Sequence, residues 1–167
     1  MQTRDVDTIQ TVRNVKPYKR VAGTHQIERF FRAAGELDVD KDDLKRYYEF
    51  IDEKIVDLLL MAQITAKAND RVRVEPRDLP ITKGLQENIH AFEAMDIGIG
   101  LERILDKTLP EPAFDLPYSE ETEERLPAVA GGISLALAHT FKIMDPKMKH
   151  PATEQWEQAF RIFNQLL

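Results

Sequence analysis

The sequence predicts an all-α protein in which a short–long–short order of helices occurs twice and the two halves pair within one chain. Three observations carry this. The stretch Lys41–Ala68 holds no Gly or Pro and repeats apolar residues three and four apart. A second long apolar stripe runs from 119 to 145. Each long stripe is flanked by shorter helical segments, with residue echoes offset by 74 and 76 positions.

Taken in order, residues 1–22 show no helical period, contain Pro17 and read as an extended arm. Gly23–Ala34 reads as a short helix with Thr24 as N-cap, Ile27, Phe30 and Phe31 on one face, and Gly35 as its stop. Asp40 suits the next N-cap, and Asp42 and Asp43 suit the positive end of the helix dipole. The long helix that follows carries Leu44, Tyr47, Tyr48, Ile51, Ile55, Leu58, Leu59, Ala62 and Ala66 as its stripe. At 1.5 Å per residue it is roughly 40 Å long, too long to bury its stripe against one short neighbour. Arg71–Glu75 alternates like a very short strand. Pro76 opens a third helix with Leu79, Ile81, Leu85, Ile89 and Phe92 inward, and Gly98 and Gly100 break it.

The second half repeats the plan. Leu101–Leu109 is a short helix, Pro110–Tyr118 a loop, and Ser119–Asp145 a long helix. Its stripe is Leu126, Val129, Ala130, Ile133, Leu137, Phe141 and Met144. After the loop Pro146–Pro151, Thr153–Leu167 forms a final amphipathic helix with Trp156, Phe160 and Phe163. Ile27-Glu28-Arg29-Phe30-Phe31 echoes Leu101-Glu102-Arg103-Ile104-Leu105. Arg71 and Asp78, seven apart, are echoed by Lys147 and Glu154. Gly131-Gly132 interrupts the second long helix where each glycine costs about 1 kcal/mol relative to Ala. The pair sits opposite Ile55-Val56 in the pattern, which predicts a close crossing of the two long helices there.

Composition narrows the function. The chain has 167 residues, 43% hydrophobic and 31% charged, and no cysteine. This excludes disulfides and thiolate metal sites and makes the cytoplasm the expected compartment. No apolar run approaches the ~20 residues of a bilayer span, and the N-terminus has no secretory apolar core. Net charge is −6, yet residues 1–20 carry +3, so an acidic body of −9 bears a basic arm.

The short–long–short unit with a tiny strand after the long helix resembles the histone fold. The run IERFFRAAGELDVD resembles the first helix and first loop of archaeal histones. AKANDRVRVEPRDL resembles the end of the long helix, the second loop and the start of the last helix, with Arg71 and Asp78 at the family's Arg–Asp clamp. The likeness covers about 70 residues by sequence and the rest by pattern. As a whole the chain resembles a small group of bacterial proteins with two histone folds in tandem and no settled function. The resemblance implies a first fold at 23–96 and a second, degenerate one at 97–167, packed head to tail as an intramolecular pseudodimer. A clamp Lys147–Glu154 is the implied second copy of Arg71–Asp78.

The same resemblance implies contact with duplex DNA through phosphates and the minor groove. The candidate residues are Arg29 and its repeat Arg103, then Arg73, Arg77, Lys147 and Lys149 in the second loops. Arg13, Lys16, Lys19 and Arg20 of the arm complete the set. Two positions are reversed in sign: Asp38 stands where the family has an arginine, and Glu75 where it has a lysine. The leading expectation is a non-enzymatic architectural or interaction protein with weak, sequence-independent DNA binding, associated with the nucleoid in that case. The alternative is a protein-interaction scaffold that binds no DNA.

No catalytic or cofactor-binding pattern emerges. Four histidines (His25, His90, His139, His150) form no close ligand pair. Glu87-x-x-His90 has the spacing of a di-iron bundle motif but lacks the second copy. There is no nucleophile elbow, phosphate-binding loop or dinucleotide fingerprint. No metal, cofactor or small-molecule substrate is therefore expected.

Overall fold

A computed structural model describes residues 23–95 and 115–167. The arm with Arg13, Lys16, Lys19 and Arg20, the segment Leu101–Leu109 with Arg103, and the boundary at 96–97 lie outside the described residues. Regular structure within them is all helical: α1 (Thr24–Gly35), α2 (Lys41–Ala68), a 3-10 turn (Pro76–Asp78), α3 (Lys83–Glu93), α4 (Glu120–Met144) and α5 (Thr153–Phe163).

Helix α1 starts one residue earlier than expected. Gly23, at φ 120°, is its N-cap, and Thr24 is already helical. Its end is a Schellman-type cap: Glu36 takes the left-handed conformation at φ 53°, and the N–H of Leu37 donates to the carbonyl of Phe31. Gly35 serves a different purpose from a left-handed stop. A Cβ there would lie 3.1 Å from Lys142 Cγ, so the missing side chain lets α4 approach α1.

Helix α2 is capped reciprocally. Asp43 N donates to Asp40 Oδ1 at 2.8 Å, and Asp40 N donates to Asp43 Oδ2 at 3.0 Å. Its whole predicted stripe from Leu44 to Ala66 is buried. The helix expected from Pro76 is split instead. Pro76–Asp78 makes a 3-10 turn, and α3 begins only at Lys83 under a Thr82 cap. Pro80 explains the break, because it restricts Leu79 to the extended conformation seen there, ψ 127°. Leu85, Ile89 and Phe92 form the buried side of α3.

Helix α4 opens at Ser119, whose hydroxyl accepts from Thr122 N, and it accommodates Pro127 within its first turns. It has the length and composition of a membrane span. Two thirds of its most apolar window is buried inside the fold, as suits a core helix.

The halves are interleaved. Helix α3 lies against the long helix of the other half, with Arg125 Nη2 donating to Gln86 Oε1 at 2.9 Å. Helix α5 in turn meets α2, where Phe50 stacks on Phe160 with centroids 4.6 Å apart and Arg46 donates to Thr153 Oγ1 at 3.0 Å. The two long helices touch through a buried bond between Tyr47 OH and Ser134 Oγ at 2.7 Å. Because the Ser134 hydroxyl also reaches the Ala130 carbonyl at 2.7 Å, Tyr47 is the donor to serine. Phe31 joins this centre, edge-on to Tyr47 and to Trp156.

The nearest neighbours of Gly131 and Gly132 lie on α3, and not on α2 as the pattern predicts. A Cβ on Gly131 would fall 2.1 Å from Phe92 Cε1, and one on Gly132 would fall 2.5 Å from Ile89 Cγ1. The glycines admit α3. Mid-helix glycines signal a close neighbour but not which one.

Candidate interaction site at the paired loops

Two loop pairs join the halves reciprocally. At one end, the segment after α2 meets the segment before α4. Val74 N donates to the Pro117 carbonyl and Ser119 N to the Val74 carbonyl, both at 2.9 Å, as a single parallel bridge between Val74 and Tyr118. Thr122 Oγ1 adds a third bond to the Val74 carbonyl at 3.0 Å. At the other end, the segment before α2 meets the segment after α4, where Asp38 N donates to the Lys149 carbonyl at 2.7 Å. Val74 and Met148 anchor the two ends as buried apolar residues.

The first end is built around Asp78. Its side chain is fully buried, accepts from Glu75 N at 2.9 Å and receives both Nε and Nη2 of Arg71. Burial pushes the Asp78 pKa up, but the Arg71 guanidinium and the Glu75 N–H overcome this and hold it below the usual carboxylate range. Asp43 shows the opposite balance. Burial dominates there and raises its pKa, although Arg46 stands 3.1 Å away. Arg73 is engaged by Glu75 at 2.7 Å, a bond that lowers the Glu75 pKa. Arg77 is exposed and forms no ion pair among the described residues.

The second end lacks the corresponding clamp. Among the described residues Lys147 and Glu154 do not pair, and both are exposed. The register explains why. Asp78 caps the N–H three residues before it, and in the second half Gln155 does this, accepting from Ala152 N at 2.7 Å. The capping contact that Asp78 makes is thus made here by neutral Gln155, not by Glu154. Lys147 contributes its backbone N–H to Asp145 Oδ1 at 2.9 Å. Asp38 lies 3.2 Å from Arg32 Nε and 3.6 Å from His150 Nε2. Lys149 is exposed, as is Arg29 on α1.

Each end therefore mixes cations with carboxylates, and the two sign-reversed residues, Asp38 and Glu75, each bind neighbouring cations. The sequence reading missed the Thr122 and Tyr47–Ser134 bonds, since one hydroxyl in a helical stripe gives no periodic signal. It also missed Lys54, buried at 1% exposure and held by Asp57 at 3.1 Å and by Asn164. Among the described residues no group of His, Asp and Glu is arranged to hold a metal ion.

A family model matches residues 27–164 of this chain. The chain belongs to the DUF1931 family, a domain of unknown function. A crystal structure of a Thermus thermophilus protein is similar to the DUF1931 chain at 44% identity, covering 86% of it and 97% of that protein, with a TM-score of 0.77. A crystal structure of an Aquifex aeolicus protein has the same TM-score at 21% identity over 92% and 99% of the two chains, which speaks for the shared fold. An uncharacterised protein of Aquifex aeolicus (strain VF5) is 22% identical over 147 residues, covering 88% of this chain and 85% of that one.

Proposed function

We propose that this chain is a non-enzymatic interaction module built as a histone-like pair within one polypeptide. The observation that carries the reading is reciprocal loop exchange, in which each half's pre-helix segment bonds to the other half's post-helix segment. Two copies of one short–long–short unit, packed head to tail, have this property, as does the placement of each final helix against the other half's long helix. The short polar chemistry points away from catalysis: Ser119 bonds to Thr122, and Ser134 is consumed by Tyr47 and Ala130.

A protein is the better-supported partner. Arg73, Arg32 and Arg71 already meet carboxylates, so their charge is partly spent within the fold. A phosphate backbone approaching either end also meets Asp38 or Glu75. A specific observation favours weak DNA binding as a second reading: Arg29, Arg77, Lys147 and Lys149 are exposed and free of ion pairs among the described residues.

Titration of random duplex DNA against salt separates the two. The protein-partner reading expects no complex even at low salt. A complex lost steeply between about 50 and 200 mM salt would overturn it in favour of several phosphate contacts. Arg29→Glu with Arg77→Glu must then weaken that complex without unfolding the protein.

A further inference from the structure

We propose that the seams between the halves form a pairing code, in which each half of the chain accepts the unlike half and rejects a copy of itself. The inference rests on the histone-like reading only for the correspondence of the two halves. Their final helices carry matching stripes. Leu85, Ile89 and Phe92 on α3, and Trp156, Phe160 and Phe163 on α5, are each spaced four and then three residues apart. Phe92 and Phe163 therefore hold the same place in the two helices. Each ring meets the long helix of the other half, but the residue it meets there differs. Phe92 lies over Gly131, with no room between them for a Cβ. Phe163 meets the ring of Phe50 edge-on, with centroids 5.1 Å apart. Gly131 of α4 thus stands where α2 has Phe50.

This difference decides which pairs can form. Were two first halves to pair, Phe92 of one would meet Phe50 of the other, a buried aromatic ring at a place too tight for a single Cβ. Overfilling a packed core forces side chains off their rotamers and is destabilising. Were two second halves to pair, Phe160 and Phe163 would face Gly131 and lose the Phe50 ring that they pack on now. The space left would be a cavity, which is destabilising in turn. The unlike pair alone matches bulk with space at both seams. The Tyr47–Ser134 bond adds to the preference, because its two hydroxyls stand on different long helices. Specificity of this kind needs a rejected alternative as well as a favoured match, and here the two come from one exchange of a glycine for a phenylalanine. The partner that fits each half is the other half.

The test keeps the full chain. A protease site placed within residues 96–114 is cut after folding. The nicked protein is then unfolded in urea and refolded, and native mass spectrometry counts the fragment pairs. The code predicts pairs of first with second fragments only. Like pairs in statistical proportion would overturn it. Fragments that re-form no complex would count against the two-half reading instead, and the uncut chain then decides the code. There, Gly131→Ala should lower the unfolding temperature several-fold more with Phe92 in place than in a Phe92→Leu background. An equal drop in both backgrounds would overturn the code, since Phe92 would then not be the group that Gly131 admits.

Discussion

The two seams between a long helix and the other half's final helix solve one problem in different ways. Where α3 meets α4, two glycines remove side chains from the long helix, and Phe92 and Ile89 fill the space left. Where α5 meets α2, side chains are retained: Phe50 stacks on Phe160, and buried Lys54 spans to Asn164 at the end of α5. At the glycine seam any added Cβ would run into Phe92 or Ile89, so its tolerance for added volume is low. At the aromatic seam Lys54 reaches polar partners at Asp57 and Asn164, so exchange of that one side chain should be tolerated. Similar helix order therefore does not imply similar sensitivity to mutation.

Substitutions test this contrast. Gly132→Ala should have the largest effect. Alanine normally stabilises a helix by about 1 kcal/mol relative to glycine, but this Cβ would meet Ile89 N at 3.0 Å and Cα at 3.1 Å. Backbone cannot swing aside, so a net loss of about 2–3 kcal/mol is expected by urea unfolding. At the aromatic seam, Lys54→Met should change stability by less than about 1 kcal/mol or raise it, because an apolar residue of similar volume replaces a buried ion. A large loss would mean that the Lys54–Asp57–Asn164 contacts hold the seam. Gly84→Ala is the internal control: nothing lies within 4 Å of its Cβ, and a gain of about 0.5 kcal/mol is expected.

The loop ends extend the comparison, with an intermediate and a minimal effect. Arg71→Ala strands the buried Asp78 carboxylate and should cost roughly 1–3 kcal/mol at neutral pH. Its pH dependence follows from the depressed Asp78 pKa. The ion pair contributes stability above the unfolded carboxyl value of about 3.9, and that contribution is lost as pH falls through the lower folded value. The gap between wild type and Arg71→Ala, followed by thermal unfolding, should therefore narrow below about pH 4. Lys147→Ala, at the end without a clamp, should stay within about 0.5 kcal/mol of wild type. A loss equal to that of Arg71→Ala would restore the Lys147–Glu154 pair.

How much of this was legible in the sequence differs by element. The α2 stripe and its Asp40 cap were readable because periodicity and a short acidic N-cap act locally. The Pro76 helix was misplaced because Pro80 governs the residue before it and shifts the start to Lys83. Gly131-Gly132 announced a close approach, but the partner, α3, depends on tertiary arrangement that one helix does not encode. The Lys147–Glu154 analogy failed because spacing seven apart ignores register: the capping position fell on Gln155. At the candidate site, exposed Lys149 and Arg77 were foreseeable, whereas the pairing of Arg32 with Asp38 needed the fold.

Native-state hydrogen exchange at the two loop ends tests the central claim most directly. The amides of Ser119 and Asp38 donate across the halves at opposite ends of the molecule, to Val74 and Lys149. If the halves hold each other reciprocally, both should exchange only through global unfolding and share one free energy and one denaturant dependence. Exchange of Asp38 through a low-energy local opening while Ser119 stays protected would show that the halves part independently, and it would contradict the account.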